Sequence, residues 1–273
     1  LKTICNVPHD WNQNNQVNVI AEIGDFGMTL MILQDKSNHV NGLSVYGFDL
    51  GDDIYENILS IFKSIEMNRN QINAFRVFYN FKASLFVPKK YYNPSLSEYM
   101  IDLMHGEGFE EEINVDTIKD YEMHNLYRVP NNVINYFKLN FPVAKFYHST
   151  SHQIKKTAEG NTIRCLVFYD SIKLILQNNG GLIFTQQYQI KSPENVVYYL
   201  LNCCKQHDID PTEIKLIISG MISTDSTLYE HIYNYFLNVT LEEHDNQFSF
   251  NEALDQFPKH FFTHLTELTQ CEL

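Results

Sequence analysis

One order of elements occurs twice along the chain, and this constrains the fold more than any single motif. Val17 to Ile23 alternates apolar and polar residues, Gly24-Asp25-Phe26-Gly27 supplies a tight turn, and Met28 to Leu33 runs back as a second strand. Asn41-Gly42 turns the chain into a third strand, Leu43 to Phe48. A helix follows with Ile54, Ile58, Ile61, Phe62 and Ile65 on one face. Next come a fourth strand, Ala74 to Tyr79, and an apolar run, Ala83 to Val87, closed by Pro88.

The second stretch follows the same plan. Ile163 to Tyr169 reads as a strand, Asp170-Ser171 as the turn and Lys173 to Gln177 as the return. Asn178-Asn179-Gly180-Gly181 precedes a third strand, Leu182 to Ile190. Ser192 ahead of Pro193 starts a helix through Val196, Tyr199, Leu200 and Cys203. After a break at Asp208 to Thr212, Ile214 to Ser219 is the fourth strand. A helix from Thr224 runs through Leu228, Ile232 and Phe236, followed by a short strand at Val239–Leu241.

Third strand, helix and fourth strand recur at an offset of roughly 140 residues, about one domain length. Hairpin, third strand, helix and fourth strand make the ribonuclease-H-like topology, and two in tandem make the actin-like architecture. The sequence therefore predicts an α/β protein of two tandem ribonuclease-H-like subdomains, residues 1–138 and 139–273. At 273 residues and 44% hydrophobic, the chain has the material for two cores and is not expected to hold long disorder.

Charge narrows the partners. Thirty-three acidic against twenty basic residues give a net charge of −13, and the arginines are Arg69, Arg76, Arg128 and Arg164 alone. A phosphate backbone needs clustered Lys and Arg, so nucleic acid and anionic membrane surfaces are poor matches. No run approaches the ~18 apolar residues needed to cross a bilayer, so membrane insertion is not expected. Leu1 to Asn15 is polar, without the apolar core of a signal peptide. A chain that opens at Leu1 rather than Met is expected to start downstream of its native start. Cys5, Cys165, Cys203, Cys204 and Cys271 contain no CxxC pair, and an odd count fits no closed disulfide set. Reduced, mostly buried thiols in a cytoplasmic protein are the expectation, with Cys203 and Cys204 facing different directions of a helix. Asn238-Val239-Thr240 is then a chance sequon.

Between the repeats, Glu98, Asp102, Glu107, Glu110, Glu111, Glu112, Asp116, Asp120 and Glu122 stand against one base, Lys119. Such a run predicts a solvated loop over 98–122. The alternating spacing and central Gly of an EF-hand calcium loop are missing.

Several stretches carry a resemblance: Ser84-Leu85-Phe86-Val87-Pro88, Phe141-Pro142-Val143-Ala144-Lys145, and Pro193-Glu194-Asn195-Val196-Val197-Tyr198-Tyr199-Leu200-Leu201. With them go Ile218-Ser219-Gly220-Met221-Ile222 and Asp225-Ser226-Thr227-Leu228-Tyr229. The chain resembles a Bacteroidetes protein family of unknown function whose members adopt an actin-like ATPase fold. The resemblance covers Val17 to Leu241 and implies the fold, and almost nothing about function.

Active members of the wider actin, heat-shock-70 and sugar-kinase superfamily hold ATP between their halves, each half offering a hairpin turn with Asp and Gly. Backbone N–H groups there face phosphate, and the carboxylate holds hydrated magnesium. Asp25-Phe26-Gly27-Met28-Thr29 resembles the first turn: Gly27 would admit phosphate, Thr29 would donate a hydroxyl and Asp25 would hold a metal-bound water. Gly and Asp are equally what a tight hairpin needs. The second turn, Asp170-Ser171-Ile172-Lys173, keeps the acid but places β-branched Ile172 where the superfamily has a small residue. Lys173 would supply a point charge there, or simply be a solvated strand lysine. Ser219-Gly220-Met221 offers one Gly where an adenosine segment has two, and Gly220 alone also suits a strand end. Asn80, just past the fourth strand, is neutral and reads as a turn residue rather than a base.

Other chemistry is set aside. His260 and His264, at i and i+4 with Glu267 one turn on, would suit zinc on one helical face, but also an ordinary amphipathic tail. His148 and His152 flank Ser149-Thr150-Ser151 without a G-x-S-x-G elbow. Seventeen Tyr and nineteen Phe, with runs at Phe75–Phe81 and Tyr229–Phe236, belong mostly between sheet and helices. The expected protein is therefore a binding or scaffold module with a degenerate nucleotide site and no cofactor. Two alternatives stand beside it. One is a divergent ATPase or kinase using ATP and magnesium at Asp25, Gly27, Thr29, Asp170, Lys173 and Gly220. The other is a self-assembling or secretion-platform component with a protein partner.

Overall fold

The computed structural model describes residues 1–12, 15–156 and 159–269. Cys271 lies outside them. The chain forms two compact units. The first holds Leu1–His152, Ser249–Asn251 and 268–269, the second Gln153–Phe248 and Glu252–Glu267.

In the first unit the strands are β1 (Lys2–Val7), β2 (Val17–Gly24), β3 (Gly27–Gln34) and β4 (His39–Gly47), followed by α1 (Ile54–Ser64) and β5 (Ile72–Asn80). Then come β6 (Ser84–Pro88), α2 (Ser97–His105), β7 (Glu111–Ile118), β8 (Met123–Pro130), α3 (Asn131–Asn140), β9 (Lys145–His148) and α4 (Ser149–Gln153). The main sheet runs β1-β4-β3-β2-β5-β9. β2, β3 and β4 pair antiparallel, while β5 pairs parallel with β2 and β9 parallel with β5. The expected division at 138/139 falls ahead of β9.

The second unit holds β10 (Asn161–Val167), β11 (Ser171–Asn178), β12 (Gly181–Gln189), α5 (Pro193–Gln206), β13 (Lys215–Gly220), α6 (Thr227–Tyr233) and β14 (Asn238–Leu241). Its sheet order is β12-β11-β10-β13-β14. This matches β4-β3-β2-β5-β9 strand for strand, with the same antiparallel and parallel pairings. Both units thus carry the ribonuclease-H-like strand order. β15 (Ser249–Phe250) pairs with β4, and α7 (Thr263–Thr269) follows it in sequence.

Local chemistry starts the helices. Asp53 caps α1, its carboxylate accepting from the N–H groups of Tyr55 (2.9 Å) and Glu56 (3.3 Å). Ser192 occupies the cap position of α5 ahead of Pro193, but its side chain makes no cap bond. That helix is held by Val196, Leu200, Cys203 and Cys204, all buried against the sheet. Each buried Val or Leu contributes roughly 1.5–3 kcal/mol. Aromatics fill the first unit's core, where Phe75 stacks on Phe141 at 4.1 Å and Phe62 packs on Phe137.

The acidic stretch is not a loop. Residues 98–122 hold α2 and β7, and β6, β8 and β7 form a separate three-stranded sheet between β5 and β9. Asp116 explains part of this: its buried carboxylate accepts from Tyr127 Oη (3.1 Å) and His148 N (2.7 Å). Arg128, itself buried, pairs with Asp102 and donates to the Gly106 carbonyl at 2.7 Å. Charge density in the sequence hid acids that are consumed inside the structure.

Candidate functional site

The first hairpin turn belongs to the first unit. Gly24 and Gly27 are the last pair of the β2–β3 ladder. Neither has a positive φ. Both are glycine because strands crowd them: the Asn80 carbonyl fills the place of a Cβ on Gly24, and the Tyr46 carbonyl that on Gly27. Asp25 turns inward, its carboxylate accepting from the backbone N–H of Lys82 at 2.7 Å and so tying the hairpin to the segment after β5. Burial raises the Asp25 pKa, and the Lys82 hydrogen bond opposes this. Thr29 is half-buried on β3, opposite Glu22 of β2 and Val45 of β4. Glu22, a carboxylate buried in mid-strand, is one that sequence reasoning missed. Asn80 is the last residue of β5 rather than a turn residue, and it accepts from Ser149 Oγ at 3.1 Å.

The second turn, in the second unit, is closed by Phe168 N donating to Ser171 O at 2.8 Å, while Ile190 N donates to the Asp170 carbonyl at 2.8 Å. Ile172 lies within β11, wholly buried in the apolar core. Lys173 is not a solvated lysine. It is 2% exposed, and its ammonium donates to Gln153 Oε1 at 2.8 Å. The alternation of β11 points Lys173 away from the apolar core, toward a second sheet face that is also covered.

That covered face is the largest feature the sequence did not reveal. Arg164 is 1% exposed and pairs with Glu242 at 2.9 Å and Glu267 at 2.6 Å, with Lys156 closing on both acids. Its guanidinium also donates to the Gln153 carbonyl at 2.7 Å. Burial pulls the Arg164 pKa down, but the two carboxylates outweigh it and the net shift is upward. A polar residue between Ile163 and Cys165 reads from sequence as solvated. Its burial depends on residues about 80 and 100 positions away.

Gly220 ends β13 with φ +95°, and the Val167 carbonyl takes the space a Cβ would need. Its N–H donates to His260 O and that of Met221 to Val167 O, both at 2.8 Å. The residues considered for zinc are used elsewhere. His260 precedes α7, so the two imidazoles do not share a helix face. Its Nε2 lies 2.6 Å from Ile222 O, and Glu267 faces Arg164. No cluster of three or more His, Cys, Asp or Glu able to hold a metal occurs among the described residues. His148 Nδ1 accepts from Thr150 N (3.3 Å), so its Nε2 carries the proton and donates to Phe81 O (3.0 Å). Ser151 Oγ accepts from Asn125 Nδ2.

Among the concavities on the described residues of the first unit are the following two. The larger, about 510 Å³, is lined by residues including His9, Trp11, Ile32, Tyr46 and Ile65. The smaller, about 300 Å³, is lined by residues including Asn18, Lys36 and Arg76. Neither is lined by Asp25, Gly27 or Thr29. No helix among the described residues is long and apolar enough to cross a membrane.

Duplicated strand order and pairing define an α/β protein of the actin-like ATPase fold, and comparison with solved structures agrees. A Bacteroides thetaiotaomicron protein with actin-like ATPase fold and unknown function is 17% identical, with a TM-score of 0.76 over 96% of this chain and 99% of that one. The PilM-PilN type IV pilus biogenesis complex supplies a chain 9% identical, with a TM-score of 0.65 over 94% of this chain and 99% of that one. No curated protein matches. Residues 8–239 match the family described as "Protein of unknown function (DUF3822)", and the chain belongs to that family.

Proposed function

We propose that this chain is a non-catalytic binding or scaffold module whose ancestral nucleotide site has been turned over to structure. The observation that carries this reading is the second hairpin, where Ile172 fills the core and the ammonium of Lys173 is bonded to Gln153. A phosphate cradle needs glycine backbone and a free cation, and this hairpin offers neither. Gly27 and Gly220 support the same reading, because close strands account for both without a ligand. Asp25 is held by Lys82 N. A cytoplasmic protein partner is part of the proposal, and a fold shared with a chain of the PilM-PilN complex favours it over a solitary enzyme.

Thermal unfolding with and without magnesium-ATP tests it. A ligand at a hundred times its Kd stabilises by about 2.7 kcal/mol, a shift of a few degrees at this size. The expected result is an unchanged midpoint at millimolar ATP. A rise that disappears in Asp25→Ala would establish instead the ATP- and magnesium-dependent enzyme built on Asp25, Gly27, Thr29, Asp170, Lys173 and Gly220. Self-assembly predicts a mass that grows with concentration in light scattering, and a constant monomer mass rejects it.

A further inference from the structure

The helix α2 is apolar on the wrong side. Its inner face is anchored by Ile101, buried beneath it, and by Asp102, paired with Arg128 of β8. Leu96, Tyr99 and Leu103 stand at i, i+3 and i+7, one helical stripe, and all three are exposed, Leu103 at 71%. Met104 and Phe109 extend the same exposure, Phe109 to 83%. Single exposed apolar residues are ordinary, but a stripe with helical spacing marks a contact surface. Glu98 on the helix, and Glu107 and Glu110 after its end, are exposed and form no ion pair among the described residues. Lys89 and Lys90 precede the helix in sequence, and Lys90 lies over the Tyr91 ring at 4.6 Å.

Charge decides the occupant. A second copy would bring the same acids and another −13 of net charge, and an anionic lipid surface would be repelled likewise. We infer that the outward face of α2 docks a segment of a partner protein that carries apolar anchors flanked by Lys and Arg. Tyr99, Leu103 and Phe109 would bury against its anchors, while Glu107 and Glu110, flanking Phe109, meet its bases at the rim. This names the partner surface of the binding-module reading and rests on it.

The test places a photo-crosslinking residue in the full chain, in its native cells. The positions are Tyr99→p-benzoylphenylalanine, Leu103→p-benzoylphenylalanine and, as an exposed position in the other unit, Tyr198→p-benzoylphenylalanine. The expected result is one heterologous protein captured at 99 and 103 and not at 198, through a segment richer in Lys and Arg than in Asp and Glu. A synthetic peptide of that segment should bind the purified wild-type chain, more weakly at high salt. It should bind the Tyr99→Ser/Leu103→Ser variant about tenfold more weakly, while the variant's thermal midpoint stays within about 2 °C of wild type because both side chains lie outside the core. Capture of a second copy, of lipid or of an acidic segment overturns the inference, as does capture no stronger than at 198. Crosslinking confined to 198 sinks this surface and leaves a binding module standing. ATP-dependent stabilisation sinks the module reading and leaves the surface to be judged on its crosslinks.

Discussion

Gly220 faces Val167 across the last rung of the β10–β13 ladder, and the Val167 carbonyl oxygen fills the space that any side chain on Gly220 would require. The first unit solves the same crowding from the other strand: at the end of the β2–β5 ladder, Gly24 yields to Asn80. One residue of each terminal pair must lack a Cβ, and which strand supplies it is free to vary.

Gly220→Ala adds that Cβ and asks alanine to hold a φ of +95°. Left-handed strain and overpacking together should cost about 2–4 kcal/mol. Gly24→Ala, which has no positive φ, should cost about 1–3 kcal/mol. Urea unfolding of both variants measures this. An unchanged midpoint for Gly220→Ala would mean that the ladder opens without penalty, and the structural account of this glycine would fail.

The Arg164 network makes a larger demand. Removing the guanidinium in Arg164→Met leaves Glu242 and Glu267 partly buried, keeping their pairs with Lys156 but losing those with Arg164. Breaking a buried pair by losing one partner costs about 3–5 kcal/mol. Glu242→Gln, which leaves the Arg164–Glu267 contact in place, should cost clearly less. Equal losses in the two variants, read from denaturant midpoints at constant slope, would show that Arg164 does not hold the acids together.

The two-unit plan was legible because hairpins, Gly-rich turns and amphipathic helices are local signals, and β2, β3, α1, β5, β10, β11, α5 and β13 stand where periodicity placed them. Lys173 and Arg164 were not legible. A lysine on an alternating strand reads as solvated unless the opposite sheet face is known to be covered, and that cover comes from Gln153 and Glu267, far off in sequence. The acidic stretch failed for a related reason. Local charge density says nothing of Tyr127, His148 and Arg128, which bind Asp116 and Asp102. The candidate site residues could be named from sequence, but that a neighbouring strand's carbonyl fills the space beside Gly27 and Gly220 could not.

His264 on α7 gives a pH signature. Burial, with Lys173 and Arg164 nearby, lowers its pKa from the usual 6.5 to about 3. The unfolded chain therefore takes up a proton on this histidine, as pH falls below 6.5, that the folded chain refuses until pH nears 3. Its contribution to stability is whole above pH 6.5 and is lost as pH falls through that window, by up to about 1.4 kcal/mol per pH unit. Unfolding free energies at pH 7, 6 and 5 should fall less steeply in His264→Gln than in wild type. Parallel slopes would place a protonated His264 in the folded chain.

The thiols report on the second core. Burial pushes Cys165 up to about 12, burial with Cys204 alongside pushes Cys203 to about 12, and burial with Asp210 nearby pushes Cys204 to about 11. Cys5, half-buried on β1, is raised by burial alone. Thiolate is the reactive species, so a disulfide reagent at pH 8 should modify Cys5 first and reach the other three only through opening of α5 and its sheet. In a Cys271→Ser background, one fast thiol and three that appear only in urea are expected. Rapid native modification of Cys203 or Cys204 would mean that α5 opens locally, well below the cost of global unfolding, and that this helix is the mobile element of the second unit.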